Sequence, residues 1–371
     1  MIHVETLQKT PEGVRAFLAL PKRLYRKDPY WVPPMKRMEM YHLIGDHNPW
    51  RNGPHSLFLA YDDERPVARV LAGVDERINE RLGQKRGYIA LFESENNMEY
   101  ARAVLDAAVN YLKQLGMEII IGPNEPGFDD YTEGLLYEGF DSLNSLFNPY
   151  NPPYYHEFFT AYGFTKYRDH RAYLLKISEF PAATYEKLSD MAQSRFGFRI
   201  ALADLRPDHQ ETLARDVANM IAKALPSDSE ITPPTIDDIL SELKSLLRYT
   251  KADLLVTAYA GDRLVGVAVA FSDFSKLAKM INGRLFPFGW VARIFHKVRT
   301  ARCSMVFVAP DYHNKAVNAA MMLKMYQRAN AIGIQAFEIS AIDETNLQSA
   351  LSLERAGAKH YRTYRQYQLK L

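Results

Sequence analysis

Apolar runs of strand length alternate along this chain with stretches in which apolar residues recur every three or four positions. In the second half, Phe198 to Leu205 predicts a strand, and Pro207 with Asp208 opens a helix. A second helix, Ile236 to Leu247, follows the Pro233-Pro234 break. The runs Leu254–Tyr259 and Leu264–Phe271 flank Ala260-Gly261-Asp262-Arg263 and read as a hairpin. A strand at Cys303–Val308 leads into a helix from about Ala316 to Ala331. A strand at Ala336–Ala341, a helix at Leu347–Arg355 and a closing β segment at Tyr361–Leu369 complete the order. The first half follows it more loosely, with a strand at Gly87–Phe92, a helix at Met98–Leu115 and Pro33-Pro34 breaking its early helical region. Such mixed alternation predicts an α/β class, a mixed sheet with helices on both faces.

The chain also repeats itself. Gly163–Ile177 (GFTKYRDHRAYLLKI) aligns with Gly357–Leu371 (GAKHYRTYRQYQLKL), sharing Gly, Tyr, Arg, Arg, Tyr, Leu and Lys in register. AYDDERPVARV from Ala60 echoes AYAGDRLVGVAV from Ala258. YLKQLGMEIIIG around Gly116 echoes YQRANAIGIQAFEIS around Gly333. The period is too long for a solenoid, and each half is of ordinary domain size. The reading is a duplicated domain: 1–177, a linker at 178–197, and 198–371.

Composition narrows the function classes. With 46 Lys and Arg against 44 Asp and Glu, the net charge of +2 does not mark a nucleic-acid binder. A single cysteine, Cys303, excludes a disulfide framework and a Cys-rich zinc site. Glu5, Lys9, Glu12 and Arg15 interrupt Met1–Leu20, so no signal-peptide core is expected, and no apolar run reaches membrane-span length. A soluble, cytoplasmic protein is expected; its oligomeric state is open.

Val308-Ala309-Pro310 followed by a helix, within SMVFVAPDYHNKAVNAAMMLKM, resembles the acyl-CoA segment of the GNAT N-acetyltransferase superfamily. NLQSALSLERAGA resembles that family's N-x-x-A-x-x-L-Y-x-x-x-G-F segment, and YYHEFFTAYGF echoes it in the first half. The resemblance implies two tandem GNAT-like acyltransferase folds. It further implies acetyl-CoA or another acyl-CoA as co-substrate in the second half and a small-molecule or peptide amine as acceptor. A helix N-terminus offers unpaired N–H groups to a pyrophosphate. His313 occupies the family's Gln/Arg position, Ala316 its first Gly and Asn318 its second. Asn314, Lys315 and Val317 complete the loop, and Asn346 matches the motif's Asn beside the pantetheine arm. Backbone N–H groups of the strand carrying Val306 and Val308 would face the thioester carbonyl, an oxyanion stabilisation independent of side chains. The family's proton-donating Tyr is Leu353 here. Tyr361 and Tyr364 are candidate replacements for the acid, and Glu338 is a candidate base. In the first half Glu93, Glu95 and Glu99 follow the strand without glycine, and would repel a pyrophosphate.

Two further segments carry readings. Glu125, Asp129, Asp130, Glu133, Glu138 and Asp141 lie in Gly122–Tyr150 without a Lys or Arg, and either collect a cationic amine or are solvated turn residues. The insertion 275–302 is basic and contains Phe286, Phe288, Trp290 and Phe295. Weak membrane-surface contact, a lid over an acyl chain, phosphate contact at a CoA cleft and a packed flap stay open. Besides the acyltransferase, a non-catalytic sensor or scaffold and an aminoacyl transferase acting on charged RNA remain alternatives.

Overall fold

The computed structural model describes all residues except 36–38, 41–42, 46–47, 127–132, 228, 250–253 and 284–296. Two compact units emerge. Unit 1 holds Met1–Arg171, Phe274–His296 and Tyr361–Leu371; unit 2 holds Ala172–Asp273 and Lys297–His360.

In unit 1 the strands β1 (Ile2–Leu7), β2 (His55–Asp62), β3 (Arg65–Gly73), β4 (Arg86–Ser94) and β5 (Ile119–Gly122) lie in that order. β4 and β5 run parallel, and the strands before them are antiparallel. Their residues alternate between two cores. Phe58, Val70 and Ile89 face one side with helix α3 (Met98–Gln114). Leu57, Leu71 and Tyr88 face the other with Val14, Phe17 and Leu18 of α1 (Pro11–Leu24). Buried on both faces, these strands read as continuous apolar runs. Two shorter helices complete this part, α2 (Glu76–Leu82) and α4 (Tyr155–Tyr162), and β6 (Leu135–Glu138) lies between β5 and α4 in sequence.

The strand next to β5 comes from the far end of the chain. β13 (Lys359–Lys370) pairs antiparallel with β5, from Tyr367↔Gly122 to Lys370↔Ile119, and with β6 through Tyr364↔Leu136. β7 (Thr165–Lys176) follows it in the sheet. Arg365 grips Asp169 with two hydrogen bonds of 2.8 and 2.9 Å, and the buried Arg362 donates to the carbonyls of Gly139, Ser142 and Leu143. Residues 361–371 lie in unit 1, while residues 172–176 of β7 lie in unit 2.

Unit 2 orders β7, β12 (Ala336–Asp343), β11 (Thr300–Val308), β10 (Arg263–Ser272), β9 (Leu254–Ala260) and β8 (Arg199–Leu202). Its helices are α5 (Ala182–Phe196), α6 (Gln210–Ala224), α7 (Ile236–Tyr249), α9 (Val317–Ala331) and α10 (Leu347–Arg355); α8 (Ser275–Met280) belongs to unit 1. A left-handed Gly261 turns the β9–β10 hairpin. Gly266 lets α9 approach β10, since a Cβ there would lie 3.0 Å from Val317 and 3.1 Å from the Met321 sulfur. β8 and α6 are shorter than the sequence pattern suggests, because 203–206 are irregular and 207–209 form a turn. Residues 284–296 of the basic insertion, and Asp129 and Asp130, fall outside the described residues.

Candidate functional site

β11 and β12 run parallel from Thr300↔Ala336 to Cys303↔Ile339, and there the pairing ends. β11 continues to Val308 and β12 to Asp343. A bulge between Val269 and Ala270, opposite Met305 and Cys303, re-aims β11 at this point. Beyond Cys303 the register pairs β11 with β10 alone, so Ser304–Val308 present a strand edge on the β12 side. Val306 is 40% exposed there, although the strand lies inside a sheet.

The diverging strand runs directly into a turn, Pro310–Tyr312, and then α9. Arg263 and Asp311 form a two-pronged ion pair at 2.7 and 2.8 Å that pins the turn and holds the Asp311 carboxyl below its usual range. The His313 Nε2 lies 3.0 Å from the Val308 carbonyl. Asn314 and Ala316 both take left-handed conformations, at φ 60° and 57°, and Ala316 stands at the position of the resembled family's first glycine. No side chain caps the first turn of α9, because Ala316 has no acceptor to offer. Lys315 lies over the Tyr312 ring, 4.4 Å from its centre, and 5.8 Å from that of Phe196. An uncapped N-terminus beside a lysine fits a pyrophosphate. Asn318 is half-buried in the first turn of the helix.

Asn346 is the N-cap of α10, accepting from the Ser349 N–H at 3.1 Å, and Gln348 joins the two loops by donating to Asn314 at 3.2 Å. Leu353 is buried in α10. Glu338 is buried below the divergence, 3.5 Å from Arg302 and accepting from the Ser340 hydroxyl at 3.1 Å. Cys303 is a buried residue of β11, and burial first, then Glu338, pushes its thiol up to about 12. Thus Val306, Val308, His313 to Asn318, Glu338 and Asn346 belong to unit 2. Tyr361 and Tyr364 lie on β13 in unit 1.

Unit 1 has the same divergence with a different filling. β4 pairs with β5 from Arg86↔Ile119 to Tyr88↔Ile121 and then continues to Ser94 paired with β3 alone, past a bulge opposite Arg69 and Leu71. At its end Glu93 is buried, accepting from the hydroxyls of Tyr25 and Tyr155 at 2.6 and 2.8 Å, with Arg69 at 3.8 Å. Tyr154 and Tyr155 both bond to the Ser94 backbone. Glu95 takes Arg23 and Arg65, and Asn97 caps α3. The chain's own side chains occupy this end of β4. Glu93, one of the three carboxylates that the sequence marks as repelling a pyrophosphate, is buried and bonded here, and no sequence signal points to Tyr25, which is remote in sequence.

Paired bulges, parallel strands that part beyond them and a helix starting at each divergence decide the architecture. It is a tandem GNAT fold. No family model matches the chain. Protein YghO of Escherichia coli is 25% identical over 388 residues, covering 100% of this chain and 97% of its own. A bacterial ceramide synthase of Caulobacter vibrioides is 24% identical over 374 residues, covering 98% and 96%. Among solved structures, a tandem GNAT protein from the clavulanic acid biosynthesis pathway superposes with a TM-score of 0.61 at 10% identity, covering 100% of this chain and 98% of that one. No helix among the described residues is long and apolar enough to cross a membrane.

Proposed function

We propose that this tandem GNAT-fold chain is an acyl-CoA-dependent N-acyltransferase whose chemistry lies in unit 2. The observation that carries the reading is the parting of β11 from β12 after Cys303, which leaves Ser304–Val308 to line an open edge leading to the uncapped start of α9. The turn His313–Val317 would take the pyrophosphate, with Lys315 adding charge. β11 N–H groups would hold the pantetheine arm and the thioester oxygen. A neutral amine attacks the thioester carbon; its C–S bond breaks as the C–N bond forms, the nitrogen gives up a proton and the thiolate takes one. Glu338, held by Ser340 and Arg302, is the buried carboxylate on β12 for which a base role is to be tested.

The full-length similarity to a bacterial ceramide synthase supports a proposal for the acceptor. Ceramide is the amide of a fatty acid with a long-chain amino alcohol, and those two classes are the proposed acyl group and acceptor. Calorimetric titration with acetyl-CoA and palmitoyl-CoA tests the reading. Micromolar binding that is lost in Lys315→Asp supports it, and absence of binding with both thioesters favours the sensor or scaffold alternative.

A further inference from the structure

In unit 1 the Tyr367 hydroxyl lies 2.7 Å from His156 Nδ1, while His156 Nε2 lies 2.8 Å from the Leu136 carbonyl. A carbonyl only accepts, so Nε2 carries the proton and Nδ1 receives the Tyr367 hydroxyl. The repeat supplies each partner with a counterpart in unit 2. Tyr173 aligns with Tyr367, and, counting back from the aligned Gly163 and Gly357, Ala350 aligns with His156.

Tyr173 is fully buried, and its ring meets His360 edge-on with centres 5.9 Å apart. Its hydroxyl has no hydrogen-bond partner among the described residues. Ala350 is buried as well, and a methyl group accepts nothing. Unit 2 thus keeps the phenol and has no imidazole at the position equivalent to His156, while His360 meets the Tyr173 ring edge-on without bonding its hydroxyl. A buried hydroxyl without a partner destabilises a protein, and phenylalanine would fill the same space without that cost.

We infer that the Tyr173 hydroxyl is a ligand-binding group of unit 2, donating to an uncharged oxygen or nitrogen lone pair of the substrate as Tyr367 donates to His156. The inference rests on the acyl-transfer reading above. The acceptor is uncharged because its counterpart is a neutral imidazole nitrogen and because burial disfavours a bare charge. Two substrates carry such lone pairs. One is the acyl-pantetheine arm, with its carbonyl oxygens, and the other is the amino alcohol.

Tyr173→Phe removes one oxygen atom and tests the assignment through three measurements on the full chain. These are thermal unfolding, calorimetric titration with palmitoyl-CoA, and thiol release with palmitoyl-CoA and a saturated sphingoid base. The expected variant unfolds at a higher temperature than the wild type. If the hydroxyl serves the thioester arm, the Kd for palmitoyl-CoA rises by about fivefold or more, the loss of one buried hydrogen bond. If it serves the amino alcohol, that Kd is unchanged and the KM for the sphingoid base rises instead. A variant equal to wild type in both, or one less stable than wild type, overturns the inference while leaving the acyl-transfer reading intact. A wild type that binds no acyl-CoA overturns both.

Discussion

Glu93 accepts the Tyr155 hydroxyl at 2.8 Å and so joins the end of β4 to the start of α4, with Tyr25 of the α1 C-terminus as a second donor at 2.6 Å. Burial raises the Glu93 pKa above its ordinary 4.5, against the opposing pull of Arg69 and the two hydroxyls. The folded state therefore holds this proton more tightly than the unfolded chain. The stability it contributes is fully present below pH 4.5 and is lost as pH climbs through the raised value. Glu93→Gln cannot titrate. Urea unfolding across this range should show the variant gaining on wild type as pH rises, and a difference that stays flat with pH would refute the assignment.

Lys315→Asp replaces a cation beside the uncapped start of α9 with an anion. Acyl-CoA binding should weaken by about tenfold or more, equivalent to roughly 1.4 kcal/mol, and calorimetry reads it. The loss should shrink as salt is raised, because exposed charges are screened.

Arg302 and Glu338 are both buried, at register positions facing each other across β11 and β12. Arg302→Met alone strands a carboxylate and should cost about 3–5 kcal/mol in chemical denaturation. Pairing it with Glu338→Leu should recover most of that loss. If the double variant is as unstable as the single, the ion pair is not what the single change disrupts.

Ala316 holds a left-handed conformation at φ 57°, which costs an L-residue roughly 1–2 kcal/mol. Ala316→Gly relieves it at the expense of a looser unfolded chain, for a net gain of about 0.5–1 kcal/mol. A rise in Tm checks this, and a fall would mean that the methyl group packs better than the strain costs.

Most strands and helices were legible because their apolar patterns are local: Gly87–Phe92 grew into β4, Met98–Leu115 into α3, and the 260–263 turn formed its hairpin. The bulges were not legible, since a residue's two-against-one pairing depends on the neighbouring strand. Nor was the placement of β13. The repeat Gly163–Ile177 and Gly357–Leu371 shows twin strands without saying which sheet either one joins. The loop His313–Asn318 was found by motif, but its left-handed turn without glycine needed backbone angles. Tyr173 was visible as an aligned tyrosine; its unpaired hydroxyl emerges only when Ala350 is set against His156.

Unit 1 obtains the neighbour of β5 from residues 361–370. During synthesis the early strands can collapse around α3 yet must wait, with β5 exposed along one side, until the 236 residues between Gly122 and Lys359 have been made. Cutting the gene between residues 178 and 197 would release a first half with an open, aggregation-prone rim, whereas adding a peptide spanning 359–371 in trans should rescue its solubility.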